Sequence, residues 1–316
     1  MQSNILTITL NPAVDFATSA PNVYPEHKLR CTDPSIDPGG GGINVARAIQ
    51  MLGGHATALI AIGGATGAQL LQLLALEGVP TVAFQGPGET RLSFSVTDQT
   101  SNEQFRFVMP GDPWREHDVA RGLNSIDQAA ADDTLVVLSG SQPPGVAKEF
   151  PSILAAHVKG RGAQLIVDTS GPALFQLARE PHETVFALRM DGPEAEELAG
   201  RDLPTPEDSA AFARSLVDNK VARNVIVARG ADGSVLSNAE GSWHAVGPSI
   251  EVVSKVGAGD SFVGAFALAQ ARGELVEQCL RVGVVAAGAA CTTLGTRLCE
   301  KATVERMLPD CTLTRL

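Results

Sequence analysis

Short, mostly apolar runs recur along the chain at residues 5–10, 57–62, 134–138, 164–167 and 224–228, with helical patterning between them. Runs of that length without strict alternation are the mark of strands buried on both faces of a parallel sheet. Their alternation with helices predicts an α/β fold, a doubly wound and mostly parallel sheet with helices on both faces. Two segments break the pattern. Residues 92–98 and 103–108 alternate apolar and polar positions around a polar turn at 99–102, which predicts an antiparallel hairpin. Residues from about 16 to 33 are patterned similarly but less regularly. Together they predict a small antiparallel β lid beside the main sheet, in segments of about 16–35 and 90–109. Its apolar face needs a cover, either the lid of a partner subunit or closure over a ligand. Without repeats or a low-complexity linker, the expectation is one domain over residues 1–316.

Composition narrows what such a domain can do. The net charge of −11 opposes binding to nucleic acid or to an anionic membrane. An anionic substrate therefore needs a local cluster of cations. Five cysteines without a C-x-x-C pair suit a reducing compartment, and the six histidines form no metal-binding motif. The N-terminus has no basic flank or cleavage pattern, and no apolar run is long enough to span a bilayer, so a cytoplasmic location is expected.

Two glycine-rich segments carry the candidate chemistry. Gly257-Ala258-Gly259-Asp260 opens a small-residue helix. Its amides can converge on one anion, assisted by the helix dipole, and Asp260 can accept a proton from an attacking hydroxyl. An ordinary helix cap is the plainer reading of the same residues. Gly39-Gly40-Gly41-Gly42-Ile43-Asn44 opens a second helix far away in sequence. Four glycines in a row cost backbone entropy, which suggests that a ligand approaches the bare backbone there; a flexible loop is the alternative. Asn44 can both donate to and accept from a sugar hydroxyl. Neither a Walker loop nor a G-x-G-x-x-G fingerprint is present.

In order and separation, residues 11–15 (Asn-Pro-Ala-Val-Asp), 39–44 and 257–260 resemble the ribokinase-like, PfkB-type carbohydrate kinases, over nearly the whole chain. Residues 24–31, 104–111, 139–145 and 295–299 are most similar to the 6-phosphofructokinase branch of that family. The resemblance implies transfer of the γ-phosphoryl group of ATP to fructose 6-phosphate, with Asp260 as base and the amides of Gly257, Ala258 and Gly259 stabilising the phosphoryl group. It implies that Asp15, Gly40, Gly41 and Asn44 hold the sugar. Lys28, Arg91 and Ser139 would hold the 6-phosphate, with Arg30 reaching in from a neighbouring subunit of a homodimer formed through the lid. On the nucleotide side it implies Arg189, Asp191, Ala228, Gly230, Gly233 and Gly288, with Mg²⁺ accompanying ATP and held through water by Glu194. A monovalent cation such as K⁺ is implied near residues 293–297.

The nucleotide half departs from the family pattern. Residues 189–194 read Arg-Met-Asp-Gly-Pro-Glu where relatives carry Lys-Pro-Asn-x-x-Glu; Ala228 replaces a hydroxyl residue, and Lys255 stands where a small residue is usual. Three other readings stay open: a tagatose 6-phosphate kinase, a fructose 1-phosphate kinase, or a sugar-phosphate-binding regulator with impaired use of ATP.

Overall fold

The computed structural model of the chain describes residues 2–293 and 297–316. In chain order the elements are β1 (Ile5–Thr9), β2 (Ala13–Ala20), β3 (Ser35–Gly39), α1 (Gly41–Met51), β4 (Thr57–Ile62), α2 (Gly64–Glu77), β5 (Thr81–Gln85), β6 (Arg91–Asp98) and β7 (Gln104–Val108). There follow α3 (Glu116–Ala129), β8 (Leu135–Ser139), α4 (Phe150–Lys159), β9 (Gln164–Asp168), α5 (Pro172–Arg179), β10 (Val185–Asp191), α6 (Gly192–Ala199), α7 (Pro206–Asp218) and β11 (Ala222–Ala228). The chain ends with β12 (Ser234–Asn238), β13 (Gly241–Val246), α8 (Ala258–Ala271), α9 (Val276–Cys291), α10 (Lys301–Met307) and β14 (Thr312–Arg315).

Ten strands form one sheet in the order β14-β13-β12-β11-β10-β9-β8-β1-β4-β5. Pairing is parallel from β5 to β11, and β12, β13 and β14 extend the edge antiparallel. Strands β1 and β8 at its centre are buried at every position, as the apolar runs predict. Successive residues serve opposite layers. Ile5, Leu135, Val137, Ile166 and Ile226 join α1, α2, α8 and α9 in one core, while Leu6, Ile8, Val136, Leu138 and Val225 join α3, α4, α5 and α7 in the other. Burying each such side chain stabilises the fold by about 1.5–3 kcal/mol before chain entropy is counted.

A second sheet, ordered β3-β2-β6-β7, stands beside the first. Its hairpin β6–β7 forms where the alternation predicts it. Asp98 fixes the turn, its carboxylate accepting from the amides of Thr100, Ser101 and Val23. The N-terminal segment differs from the expectation. Strand β2 starts at Ala13, the chain returns only at Ser35, and residues 21–34, with Pro21, Pro25 and Pro34, form no strand; proline removes ladder donors and fixes φ. The outer pairings are antiparallel, whereas the central β2–β6 pairing is parallel. Register places Ile36, Phe16, Phe94 and Phe107 in one row across all four strands, and Asp37, Asp15 and Ser93 in the neighbouring row. Alternation therefore puts the first row on one face and the second on the other. The Phe16 and Phe94 rings stack with centroids 5.2 Å apart.

Helices α1 and α8 touch through Gly264. A Cβ at that position would lie 2.8 Å from the Ala48 Cβ and 3.0 Å from the Val45 carbonyl oxygen. All five cysteines are free; Cys279, Cys299 and Cys311 are buried, and Cys31 is exposed on the 21–34 loop. No helix among the described residues is long and apolar enough to cross a membrane.

Gly264→Ala should push α8 off α1 and cost about 1–3 kcal/mol, measured by urea denaturation. Gly160→Ala, where an added Cβ meets nothing within 4 Å, should stay within about 0.5 kcal/mol of the parent.

Candidate active site

The strand order reverses between β1 and β8: β4 and β5 lie to one side, β9, β10 and β11 to the other. In open α/β sheets the carboxyl ends of strands at such a reversal are where ligands bind. Here the ends of β8, β9 and β10 open on a cavity of about 230 Å³ lined by Ser139, Asp168, Arg189, Asp191, Glu194 and Asp260.

The four-glycine run enters this region between β3 and α1. Gly40 has φ 123°, and Cβ atoms at Gly41 and Gly42 would lie 2.5 Å from the Ser139 Oγ and 2.5 Å from the Ile8 carbonyl oxygen. The run thus lets the start of α1 sit directly on the ends of β1 and β8. Packing against β1 and β8 demands glycine at these positions in addition to any approach of a ligand to the bare backbone of Gly40 and Gly41. The same packing brings Asn44, in the first turn of α1, against Asp260, in the first turn of α8: Asn44 Nδ2 donates to Asp260 Oδ2 at 2.9 Å. Asn44 Oδ1 accepts from Arg47 Nη1 at 3.1 Å, so one N–H of the amide remains for a ligand.

Gly257 caps α8 with φ 76° and ψ 0°, and its carbonyl accepts the Ser261 amide at 2.8 Å. The amides of Ala258, Gly259 and Asp260 are first-turn donors without a partner four residues back. Beside them, burial raises the Asp260 pKa from 3.8 to about 6, and the Asp168 carboxylate adds to the rise. The Asn44 hydrogen bond and the Arg189 and Arg47 charges oppose it. Asp260 is therefore poised as a base near neutral pH.

Arg189 shares this cavity. Its Nη1 bonds Asp168 Oδ1 at 2.9 Å, its guanidinium lies over the Phe262 ring at 5.7 Å, and its nitrogens would be 3.2–3.3 Å from a Cβ on Gly259. Burial disfavours its charge, but Asp168, Asp260 and Asp191 more than offset that, and its pKa is raised. Ser139 Oγ donates to the other Asp168 oxygen at 3.1 Å, so Asp168 links Ser139 to the arginine beside Gly259.

Asp15 lies on β2 against Gly39, whose Cβ would collide with its carboxylate. Burial raises the Asp15 pKa, while Arg91, Ser93 and Arg106 act to lower it. Arg91, at the start of β6, donates through Nε and Nη2 to the Asn11 carbonyl, both at 3.2 Å, and its own pKa is lowered by burial against the counter-effect of Asp15. Lys28 and Arg30 are exposed on the 21–34 loop and make no hydrogen bond or ion pair with these residues within the chain.

On the nucleotide side, Asp191 ends β10 and caps α6. Its Oδ1 accepts from the Glu194 amide at 2.9 Å, and Glu194 Oε2 accepts from the Asp191 amide at 3.0 Å. Aspartate is as good a cap as asparagine, which explains locally why the departure from the family pattern is tolerated. Ala228 ends β11 opposite Asp191. Gly230 and Gly233 form the following turn with φ 63° and 80°, and the intervening Arg229 faces away, bonded to the carbonyls of Leu203 and Pro204. Gly288 lies within α9 beside Met307 and Ile250. Lys255 is exposed. The implied monovalent-cation segment, residues 293–297, falls partly outside the described residues.

The carboxylates fit a hydrated Mg²⁺. Burial raises the Glu194 pKa, and the charges of Asp191 and Asp168 raise it further, a strain that a divalent cation would relieve. Among the described residues no group of three or more His, Cys, Asp or Glu side chains is placed to hold a metal ion by itself.

A half-buried carboxylate beside first-turn helix amides, at the switch point of a doubly wound sheet with a second, smaller sheet beside it, is the arrangement of a ribokinase-like kinase. The chain belongs to the pfkB family of carbohydrate kinases, whose model matches residues 5–303. It is 42% identical over 296 residues to the ATP-dependent 6-phosphofructokinase isozyme 2 of Escherichia coli, covering 94% of this chain and 95% of that one. It is 28% identical to the 1-phosphofructokinase of Bacillus subtilis, over 99% and 100% of the two chains. Solved structures of Escherichia coli phosphofructokinase-2 superpose closely. The complex with potassium has a TM-score of 0.92 at 39% identity, covering 98% and 99% of the chains. The tetrameric inhibited form has a TM-score of 0.90 at 38% identity, with the same coverage.

Sequence reasoning missed Asp168, Arg106 and Arg47. Asp168 ends a recognised apolar run at the carboxyl edge of the sheet, and that position was the available signal. Arg106 required the register of β6 on β7, and nothing local marked Arg47.

Asp260→Asn should abolish turnover. For Asp260 the folded-state pKa lies above the unfolded value of 3.8, so its ionisation opposes folding as pH rises through about 6. The variant should therefore be more stable than the parent at neutral pH, by on the order of 1–3 kcal/mol, with the gain gone below about pH 4; denaturation series at several pH values read this directly. In the parent, kcat/KM should fall about tenfold per pH unit below about pH 6.

Proposed function

We propose that the protein is an ATP-dependent 6-phosphofructokinase that converts fructose 6-phosphate and ATP to fructose 1,6-bisphosphate and ADP. The observation that carries this reading is the 2.9 Å contact between Asn44 and Asp260: it joins an acceptor-side helix start to a half-buried base at an anion-binding helix start. In the reaction, Asp260 takes the proton of the C1 hydroxyl and the sugar oxygen bonds to the γ-phosphorus. The bond from that phosphorus to the β,γ-bridging oxygen breaks, and ADP leaves. The amides of residues 258–260 and the Arg189 guanidinium face the transferring group and stabilise its charge. Glu194 would hold, through water, a Mg²⁺ accompanying ATP, which would neutralise phosphate charge, with Asp191 beside it on the nucleotide side.

The sugar ring lies between Asp15 and Asn44, and Arg91, Ser139 and Arg106 present donors to the 6-phosphate. Lys28 and Arg30 complete that cluster when the 21–34 loop of either subunit closes. Phe107, Val108 and Met109 are 50%, 58% and 41% exposed at the end of β7, an apolar edge that a second lid covers in a homodimer. The monovalent-cation site belongs near residues 293–297, and the five free thiols support a reducing, cytoplasmic setting. Higher identity to the 6-phosphofructokinase than to the 1-phosphofructokinase favours fructose 6-phosphate over fructose 1-phosphate.

In coupled assays, kcat/KM for fructose 6-phosphate should exceed that for tagatose 6-phosphate and fructose 1-phosphate by roughly tenfold or more. A preference for either competitor reassigns the acceptor, and no turnover with any of the three favours a binding or regulatory role. In light scattering the parent should run as a dimer, and Phe107→Asp should shift it towards monomer.

A further inference from the structure

The Arg47 side chain makes an arrangement that the reaction, as derived above, leaves unused. It projects from α1 and is nearly buried, the residue being 8% exposed. Nε and Nη2 grip the two carboxylate oxygens of Glu77 at 2.6 and 2.8 Å. Nη1 donates to Asn44 Oδ1 at 3.1 Å and to the Pro38 carbonyl at 3.4 Å. Glu77 is the last residue of α2, and its own carbonyl accepts from Gln50 Nε2 at 2.9 Å, so the end of α2 is tied to α1 at two points.

A guanidinium offers donors only, whereas a carboxamide has one accepting end and one donating end. With Arg47 holding Oδ1, the Asn44 NH₂ must turn towards Asp260. Released, the amide could rotate and set its oxygen against the carboxylate, lone pair to lone pair. We propose that Arg47 and Glu77 are positioning residues that fix the orientation of Asn44 and, through it, the proton-accepting carboxylate of Asp260. The chain of contacts runs from the surface, where the Glu77 side chain is 35% exposed, to the base in two residues. The other charged groups facing Asp260 are Asp168 and Arg189, on β9 and β10, and neither touches this chain of contacts.

This inference rests on the kinase reading, so turnover by the parent and its loss in Asp260→Asn are measured first. Glu77→Ala, Glu77→Gln, Arg47→Lys and Arg47→Met are then compared for kcat, both KM values, the pH dependence of kcat/KM and the thermal midpoint. Glu77→Ala should lower kcat about two- to thirtyfold, leave the KM for the sugar phosphate within about twofold, and move the acid limb to higher pH, because Asp260 loses its hydrogen-bonded support. Arg47→Lys keeps the charge without the fork and should fall between the parent and Arg47→Met. Should Arg47→Met fail to fold, Glu77→Ala still decides, since its side chain is at the surface. A folded Glu77→Ala and a folded Arg47→Lys with parental kcat and an unmoved acid limb overturn the proposal, as does a kcat loss that only tracks the fall in thermal midpoint. If the parent itself turns over no sugar phosphate, the kinase reading fails and this proposal falls with it.

Discussion

The approach of α1 to α8 at Gly264 is the contact on which the remaining geometry depends. With no side chain at that position, the two helices close to the distance at which Asn44 can donate to Asp260. Each helix start sits on a different part of the sheet, α1 on β1 and β8, α8 beside the Arg189–Asp168 pair. Their separation is therefore set by packing in the core and transmitted without slack to the polar groups above it. The chemistry of the site inherits its precision from an apolar interface.

Electrostatics work against that compactness and explain how an acidic protein can hold two phosphorylated molecules. The cavity carries Asp168, Asp191, Glu194 and Asp260 around one half-buried arginine. Burial raises the pKa values of Asp260 and Glu194, the Asp168 charge adds to both, and the Asp168–Arg189 pair prevents the accumulated charge from being uncompensated. Arginine where relatives have lysine suits this role, because its fork can bond Asp168 while its face rests on Phe262.

Much of this was legible in the sequence. The parallel sheet followed from unalternated apolar runs, the hairpin from period-two patterning, and Asp260 from a helix start of small residues. The parts that were not legible share a cause: they depend on register or on contacts between distant segments. The parallel pairing of β2 with β6 joins strands more than seventy residues apart, and local alternation cannot distinguish it from an antiparallel neighbour. The crowding of Gly41 against Ser139 and of Gly42 against Ile8 is a second demand for glycine, invisible along the chain. Asp191 stands in the sequence as a departure from the family pattern, and its engagement as the cap of α6 needs the fold to be seen.

The distribution of thiols has a practical corollary. Burial pushes the pKa of Cys279 up to about 12 and that of Cys299 up to about 11, so both are almost wholly protonated and unreactive while the core is closed. Cys31 stands in the open on the loop that carries Lys28 and Arg30. One molecule thus contains two clocks for alkylating reagents: a fast one at the open 21–34 loop, and a slow one that starts only when the sheet comes apart.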